Sequence, residues 1–329
     1  MLESHSAYFR PRNAGERVLL SLGTMNFGRR TPAKEAHVMV HRALERDVLL
    51  LDCANVYENG ESEKILGAAL KEKRSECLVA SKVGLDRVPT QDGRGKVEGL
   101  SREAIFRACD ESLGRLQVDK IDLYYLHAPD YATPIEESMH ALFELIHRGK
   151  IMHFGMSNFA SWQILEAFRV CDEANMQRPM VAQQMYNLLI RQLDIEYFKF
   201  TKKYRLHTTT YNALAGGLLA RPHQLEEITR GSRFDKNVMY QRRYWSEQFF
   251  VFKKALEDIA AFAGMPLADL AYAWLASRGS VDSILIGAGT TAQLEQAIDA
   301  SAKEVDAKLT KKIDELYVSF TGTDTTYCR

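Results

Sequence analysis

Short apolar runs recur along the chain, and between most of them apolar positions return every three or four residues. The runs start at Val18, Leu49, Cys77, Ile121, His153, Met180, His207 and Ser283. Runs of this length predict strands, the segments between them predict helices, and regular alternation of the two predicts a parallel sheet covered by helices. Eight strands suit closure, so the expected fold is α/β: one (β/α)8 TIM barrel domain over residues 1–329. Helices are expected at 101–116, with Ser101 as cap and Glu103 in the first turn, and at 134–147, with Thr133 as cap, Pro134 opening and Gly149 ending it. A third is expected at 161–173, capped by a hydroxyl. Residues 216–246 break the alternation, being rich in Arg, His and aromatics without a helical pattern. They predict a long loop over one barrel face after strand 7. Residues 310–329 predict a C-terminal amphipathic helix with Ile313, Leu316 and Tyr317 on one side, then a polar tail.

Composition narrows the function classes. Lys plus Arg number 43 and Asp plus Glu number 43, so no net field favours nucleic acid or an anionic membrane. The five cysteines, Cys53, Cys77, Cys109, Cys171 and Cys328, form no C-x-x-C pair, which points away from a metal site or a disulfide framework. Residues 1–17 lack an apolar run and no stretch approaches membrane-spanning length, so a cytoplasmic location is expected.

In a barrel of this kind reactive groups gather at the C-terminal ends of the strands. Asp52 ends the second run, with Tyr57 just beyond it; Lys82 follows the third and His127 the fourth. Ser157 and Asn158 follow the fifth, Gln183 ends the sixth and Tyr211 the seventh. Hydride addition to a carbonyl leaves negative charge on oxygen, so it needs a proton donor and a polarising hydrogen bond. Tyr57 can supply the proton, an adjacent Lys82 ammonium would lower its pKa, Asp52 can hold Lys82, and His127 can orient the carbonyl. Taken singly, the histidine reads as a hydrogen-bonded structural residue, the tyrosine as a packing group, and Asp52 with Lys82 as a plain ion pair. Their convergence on one rim favours chemistry, because buried charge is costly. A Schiff base on Lys82, in a lyase or isomerase, is the non-redox alternative. No G-x-G-x-x-G follows the first strand, so a Rossmann site is not indicated. Ser157, Asn158 and Gln183 suit a carboxamide, and Tyr211 offers a face for a flat ring. Gly216 and Gly217 either let a pyrophosphate approach the backbone or form a simple turn.

These residues resemble the aldo-keto reductase family from about Leu19 to Ala300. The likeness rests on Leu22-Gly23-Thr24-Met25, Leu51-Asp52-Cys53-Ala54-Asn55-Val56-Tyr57, Glu61-Ser62-Glu63 and the 122–130 segment around His127. It continues in Gly155-Met156-Ser157-Asn158-Phe159 and Gln183-Gln184-Met185-Tyr186-Asn187. The resemblance implies a barrel reductase using NADPH, with Asp52, Tyr57, Lys82 and His127 as its catalytic tetrad. It further implies cofactor contacts from Ser157, Asn158, Gln183, Tyr211, Asn212, Leu214, Gly216 and Gln293. The segment 211–219, Arg243-Tyr244-Trp245 and the terminal Tyr327-Cys328-Arg329 are similar to the aflatoxin-aldehyde and succinic-semialdehyde reductases, which are often dimeric. That likeness implies a small carbonyl substrate contacted by Met25 and, through an acidic group, by Arg243 and Arg329. Two departures leave NADH open: residues 287–293 carry no basic residue where relatives often hold the 2′-phosphate, and Ala297 replaces a common Asn. Arg221 or Arg233 could compensate. Relatives that resemble channel β-subunits offer the alternative of a cofactor-binding partner with little turnover.

Overall fold

The computed structural model describes residues 8–88 and 95–322. Eight parallel strands close on one another in the order β1, β8, β7, β6, β5, β4, β3, β2. They are β1 (Leu19–Gly23), β2 (Leu50–Asp52), β3 (Leu78–Val83), β4 (Ile121–Leu126), β5 (Ile151–Ser157), β6 (Val181–Met185), β7 (His207–Tyr211) and β8 (Ser283–Ile286). Closure pairs Leu19 with Ser283 and Leu22 with Ile286. A small antiparallel ribbon, Arg87–Val88 with Lys96–Val97, leaves the top of β3.

Strand alternation divides the core into two shells. Leu50, Leu78, Ala80, Leu123, Tyr125 and Val181 form the inner cluster with Phe9. The ring of Phe9 also meets His153 and His207 edge-on, with centroids 5.9 and 6.5 Å away. Leu51, Val79, Tyr124, Leu126, Phe154 and Ala182 belong to the cluster under the helices. Because side chains along a strand point to alternate faces, Asp52 falls in step with Leu50, Lys82 with Ala80, and Gln183 with Val181. His127 continues the inward series of Leu123 and Tyr125. The period that builds the core therefore also delivers the polar groups to the inside of the rim.

The covering helices are α1 (Ala33–Glu45), α2 (Glu61–Leu70), α3 (Arg102–Leu116), α4 (Ile135–His147), α5 (Ser161–Glu173) and α6 (Tyr197–Tyr204). They continue with α7 (Val238–Tyr244), α8 (Glu247–Phe262), α9 (Leu267–Ser277), α10 (Thr291–Ser301) and α11 (Ala307–Thr321). Ser101 caps α3 as expected, its hydroxyl accepting from the Ala104 N–H at 3.3 Å. Two other caps differ from expectation. Thr133 donates to Asp130 Oδ2 instead of capping α4, because Asp130 gathers the Leu100, Ala132 and Thr133 donors into one turn. Ala160 stands before α5, its N–H taken by the side chain of Gln163, while the Ser161 hydroxyl reaches out to Glu196.

The 216–246 segment is not helix-free: α7 closes it. Asn237 caps this helix by accepting from the Tyr240 N–H, and Tyr240 and Tyr244, one turn apart, bury against the barrel. Two aromatics make too short a stripe to stand out among the surrounding arginines. The terminal helix starts at Ala307, behind an Asp306 cap, three residues earlier than expected. Among the described residues no single helix is long and apolar enough to cross a membrane; α8 and α9 together would be, but they meet at an 85° bend.

Candidate active site

Lys82 is fully buried at the top of β3 and forms an ion pair with Asp52, also buried, on neighbouring β2. Its Nζ also donates to the Cys53 carbonyl at 2.7 Å. The second oxygen of Asp52 accepts from Gln183 Nε2 at 2.9 Å, across the barrel. Burial alone would lower the lysine's pKa, but the charge and hydrogen bond of Asp52 counter it, and Lys82 is held above its ordinary value. The ammonium therefore persists, 5.2 Å from the centre of the Tyr57 ring.

Tyr57 follows β2 and meets the His127 ring edge-on at 5.9 Å. Its pKa differs from the sequence expectation. Desolvation pushes the phenol up to about 12; the Lys82 charge pulls it down, but by less. Tyr57 is thus a protonated donor throughout the neutral range. His127 is buried and is driven well below its usual value, first by desolvation and then by the Lys82 charge. It is a neutral imidazole, and its Nδ1 has no hydrogen-bond partner among the described residues.

Beside this group the expected amide cluster assembles. Ser157 Oγ donates to the Gln183 carbonyl at 3.0 Å, and Asn158 Nδ2 donates to the His127 carbonyl at 2.8 Å. The Tyr211 hydroxyl donates to Asn158 Oδ1 at 2.6 Å. Sequence reasoning missed these internal commitments, above all that Gln183 serves Asp52.

Asn212 acts differently from a simple contact residue. Its Oδ1 accepts from the Gly216 N–H at 2.8 Å, and its Nδ2 donates to the Tyr244 hydroxyl at 2.6 Å. It therefore ties the turn after β7 to α7. Gly216 is left-handed (φ 70°), and an added Cβ would meet the Tyr240 ring at 2.6 Å; Gly217 (φ 101°) has open space. Leu214 is half-buried in that turn and its carbonyl accepts from Gly217 and Leu219. Gln293, in the first turn of α10, folds its Oε1 onto the Gly289 N–H.

An arginine-rich sector completes the rim. Arg233 donates to Asn26 Oδ1 at 2.6 Å and to the sulfur of Met25 at 3.2 Å, and Arg30 donates to the Ser232 carbonyl. Asn26 in turn donates to the Gly287 and Ala288 carbonyls after β8. Partial desolvation, then the like charges of Arg233, Arg29 and Arg221, lower the pKa of Arg30. Arg243 lies over the Tyr240 ring, 5.6 Å from its centre, and its charge reaches Tyr211. Among the described residues it has no carboxylate partner, so the pairing with Glu247 that would make it a mere helix-surface residue is absent. Arg329 lies outside the described residues. Among those residues no group of three His, Cys, Asp or Glu is placed to hold a metal.

The set suits a nicotinamide cofactor: an open Gly217 backbone, amides converging beside a tyrosine face, and a buried imidazole nitrogen without a partner among the described residues. The comparisons with known proteins agree. The chain is 33% identical over 301 residues to human (Homo sapiens) aflatoxin B1 aldehyde reductase member 2, covering 87% of this chain and 82% of that protein. It is 32% identical over 288 residues to a probable voltage-gated potassium channel subunit beta of Arabidopsis thaliana, covering 85% and 86%. The structure of a glycerol dehydrogenase from Gluconobacter oxydans superposes with a TM-score of 0.79 at 27% identity, covering 98% of this chain and all of that one. The sequence model of the aldo/keto reductase family matches residues 19–318, and with the barrel and rim described above this oxidoreductase chain belongs to that family.

Proposed function

We propose that the protein reduces an aldehyde or ketone to the alcohol with NADPH, and that Tyr57 donates the proton. The observation that carries this reading is the buried Asp52–Lys82 pair beneath Tyr57, with neutral His127 beside it. When bound, the reduced nicotinamide supplies the hydride. Tyr57 O–H and an N–H of His127 offer two donors to the carbonyl oxygen where charge develops, in a setting largely shielded from water. Lys82 stabilises the phenolate as the proton leaves, and Asp52 keeps that ammonium in place. Ser157, Asn158 and Gln183 gather polar groups for the carboxamide, with Asn158 exchanging its Tyr211 partner.

NADPH in preference to NADH is supported by Arg29, Arg30, Arg221 and Arg233. Arg29, Arg221 and Arg233 crowd around Arg30, and Arg233 reaches Gly287 and Ala288 through Asn26, with no carboxylate partner for the four among the described residues. A phosphate there would relieve their repulsion. Arg243, beside Tyr211 and without a carboxylate partner among the described residues, supports a substrate bearing a carboxylate, for which a guanidinium fork is suited. We propose Arg329 as its companion.

The test is the loss of NADPH absorbance with a reactive aldehyde, repeated with Tyr57→Phe. Turnover by the wild type and a fall of about 10²- to 10⁴-fold in the variant are expected, the range for a general acid. Wild-type turnover in Tyr57→Phe would reject the assignment. The similarity to a channel subunit supports a second reading, in which the cofactor binds tightly and no aldehyde is turned over. Comparing succinic semialdehyde with an uncharged aldehyde of similar size in Arg243→Ala tests the substrate class. Equal losses for both would remove the carboxylate pocket.

A further inference from the structure

The turn that presents Tyr57 is strained. After Tyr57 the backbone passes through three successive left-handed residues, Glu58 (φ 47°), Asn59 (φ 54°) and Gly60 (φ 83°). The first two carry side chains, and Glu58 in particular is of a kind that rarely adopts that conformation. Such strain persists only where the surroundings over-determine the conformation.

The surroundings in question are supplied from outside the barrel. Arg115, near the end of α3, lays its side chain along Gly60: Cδ and Nε lie 2.7 and 2.8 Å from where a Gly60 Cβ would stand. The same Nε donates to Glu63 Oε2 at 2.6 Å. Glu63 is completely buried, six residues past Tyr57 in the first turn of α2, and its other oxygen accepts the Ser81 hydroxyl. Ser81 points outward on β3, immediately before Lys82, which points in. One carboxylate thus grips the helix that fixes the Tyr57 turn and the strand that carries Lys82, while Arg115 holds both the carboxylate and the turn.

We infer that Arg115 and Glu63 are positioning residues, which set the separation of the Tyr57 hydroxyl and the Lys82 ammonium without touching either. This rests on the reductase reading above. The consequence is chemical and not only mechanical. Lys82 is the group that counters the desolvation of Tyr57, so a looser brace leaves the phenol a weaker acid. In the reverse direction, alcohol oxidation, the phenolate must accept a proton, so the rate climbs with pH towards the phenol pKa.

The experiment compares wild type, Arg115→Met and Arg115→Lys, measuring kcat in both directions from pH 6 to 10. Cofactor affinity is followed by protein fluorescence and folding by thermal melting. Arg115→Met is expected to lower kcat by about 10-fold, a small part of a general-acid contribution, with cofactor affinity within about twofold. Because pH 6 to 10 lies below the phenol pKa of about 12, its oxidation profile should be a rising limb displaced to higher pH, seen as a larger loss in oxidation than in reduction, and Arg115→Lys should recover part of the loss. A folded Arg115→Met with wild-type kcat and an unshifted profile overturns the inference, leaving the pair a structural ion bridge. Should Arg115→Met not fold, Glu63→Gln, which keeps an acceptor for the Ser81 hydroxyl but removes the charge that Arg115 grips, gives the same comparison, and an unshifted profile there overturns it equally. Absence of turnover in the wild type would reject the reductase reading and the brace with it. Wild-type turnover with unchanged variants rejects the brace alone.

Discussion

Lys82 keeps its charge where no water reaches it, and that makes it the most consequential single residue on the rim. Removing one member of a buried ion pair leaves the other uncompensated, a loss of roughly 3–5 kcal/mol. Lys82→Met should therefore both destabilise the fold and slow catalysis, while Tyr57 loses the neighbouring charge that makes it more acidic. In oxidation assays the folded fraction should show its pH dependence displaced upwards; an unmoved profile at an unchanged rate would make Lys82 purely structural. The pKa directions also fix the shape of the reduction profile. His127 lies well below its ordinary value and Tyr57 lies at about 12, so both hold one protonation state between pH 6 and 8. At saturating cofactor, kcat for reduction should be flat over that window, and a titration near pH 6.5 would contradict the neutral imidazole.

Elements that carry the site divide by how their polar groups are specified. The strands and their terminal residues were legible in the sequence because a period of two fixes burial and side-chain direction together: once Leu50, Ala80 and Val181 face inward, Asp52, Lys82 and Gln183 must follow. The caps of α4 and α5 were not, since Thr133 and Ser161 had competing partners, Asp130 and Glu196, that come close only after folding. For α7 the obstacle was length, as a helix of seven residues offers one aromatic pair against a background of arginines. The Gln183 bond to Asp52 and the role of Asn212 were hidden for a related reason, because both depend on contacts between residues far apart in the chain. Asn212→Ala is a test at this scale. It removes the Gly216 and Tyr244 bonds, each worth about 0.5–1.5 kcal/mol, and so unties the turn from α7. Cofactor Kd should rise about 10-fold with kcat at saturation little changed. An unaltered Kd would show that the turn holds its shape without Asn212.

At the scale of the whole molecule the net charge of zero conceals an uneven distribution, with arginines massed around one arc of the rim. A ligand that binds only the folded state stabilises it by about 2.7 kcal/mol at one hundred times its Kd, so NADPH should raise the melting temperature. At equal concentration NADPH should raise it further than NADH, and equal shifts would argue against phosphate capture by Arg30 and Arg233. Barrel closure has a consequence for how the chain is made. β1 pairs with β2 on one side, but its other edge waits for β8, which begins roughly 260 residues later. At about 5–20 residues per second of synthesis, that edge stays open for roughly 13 to 50 seconds, presenting unpaired backbone to every neighbouring nascent chain. Until β8 leaves the ribosome there is no barrel, only an open sheet. A ribosome stalled between α7 and β8 should therefore display an unpaired strand edge, the feature that makes a chain prone to aggregate.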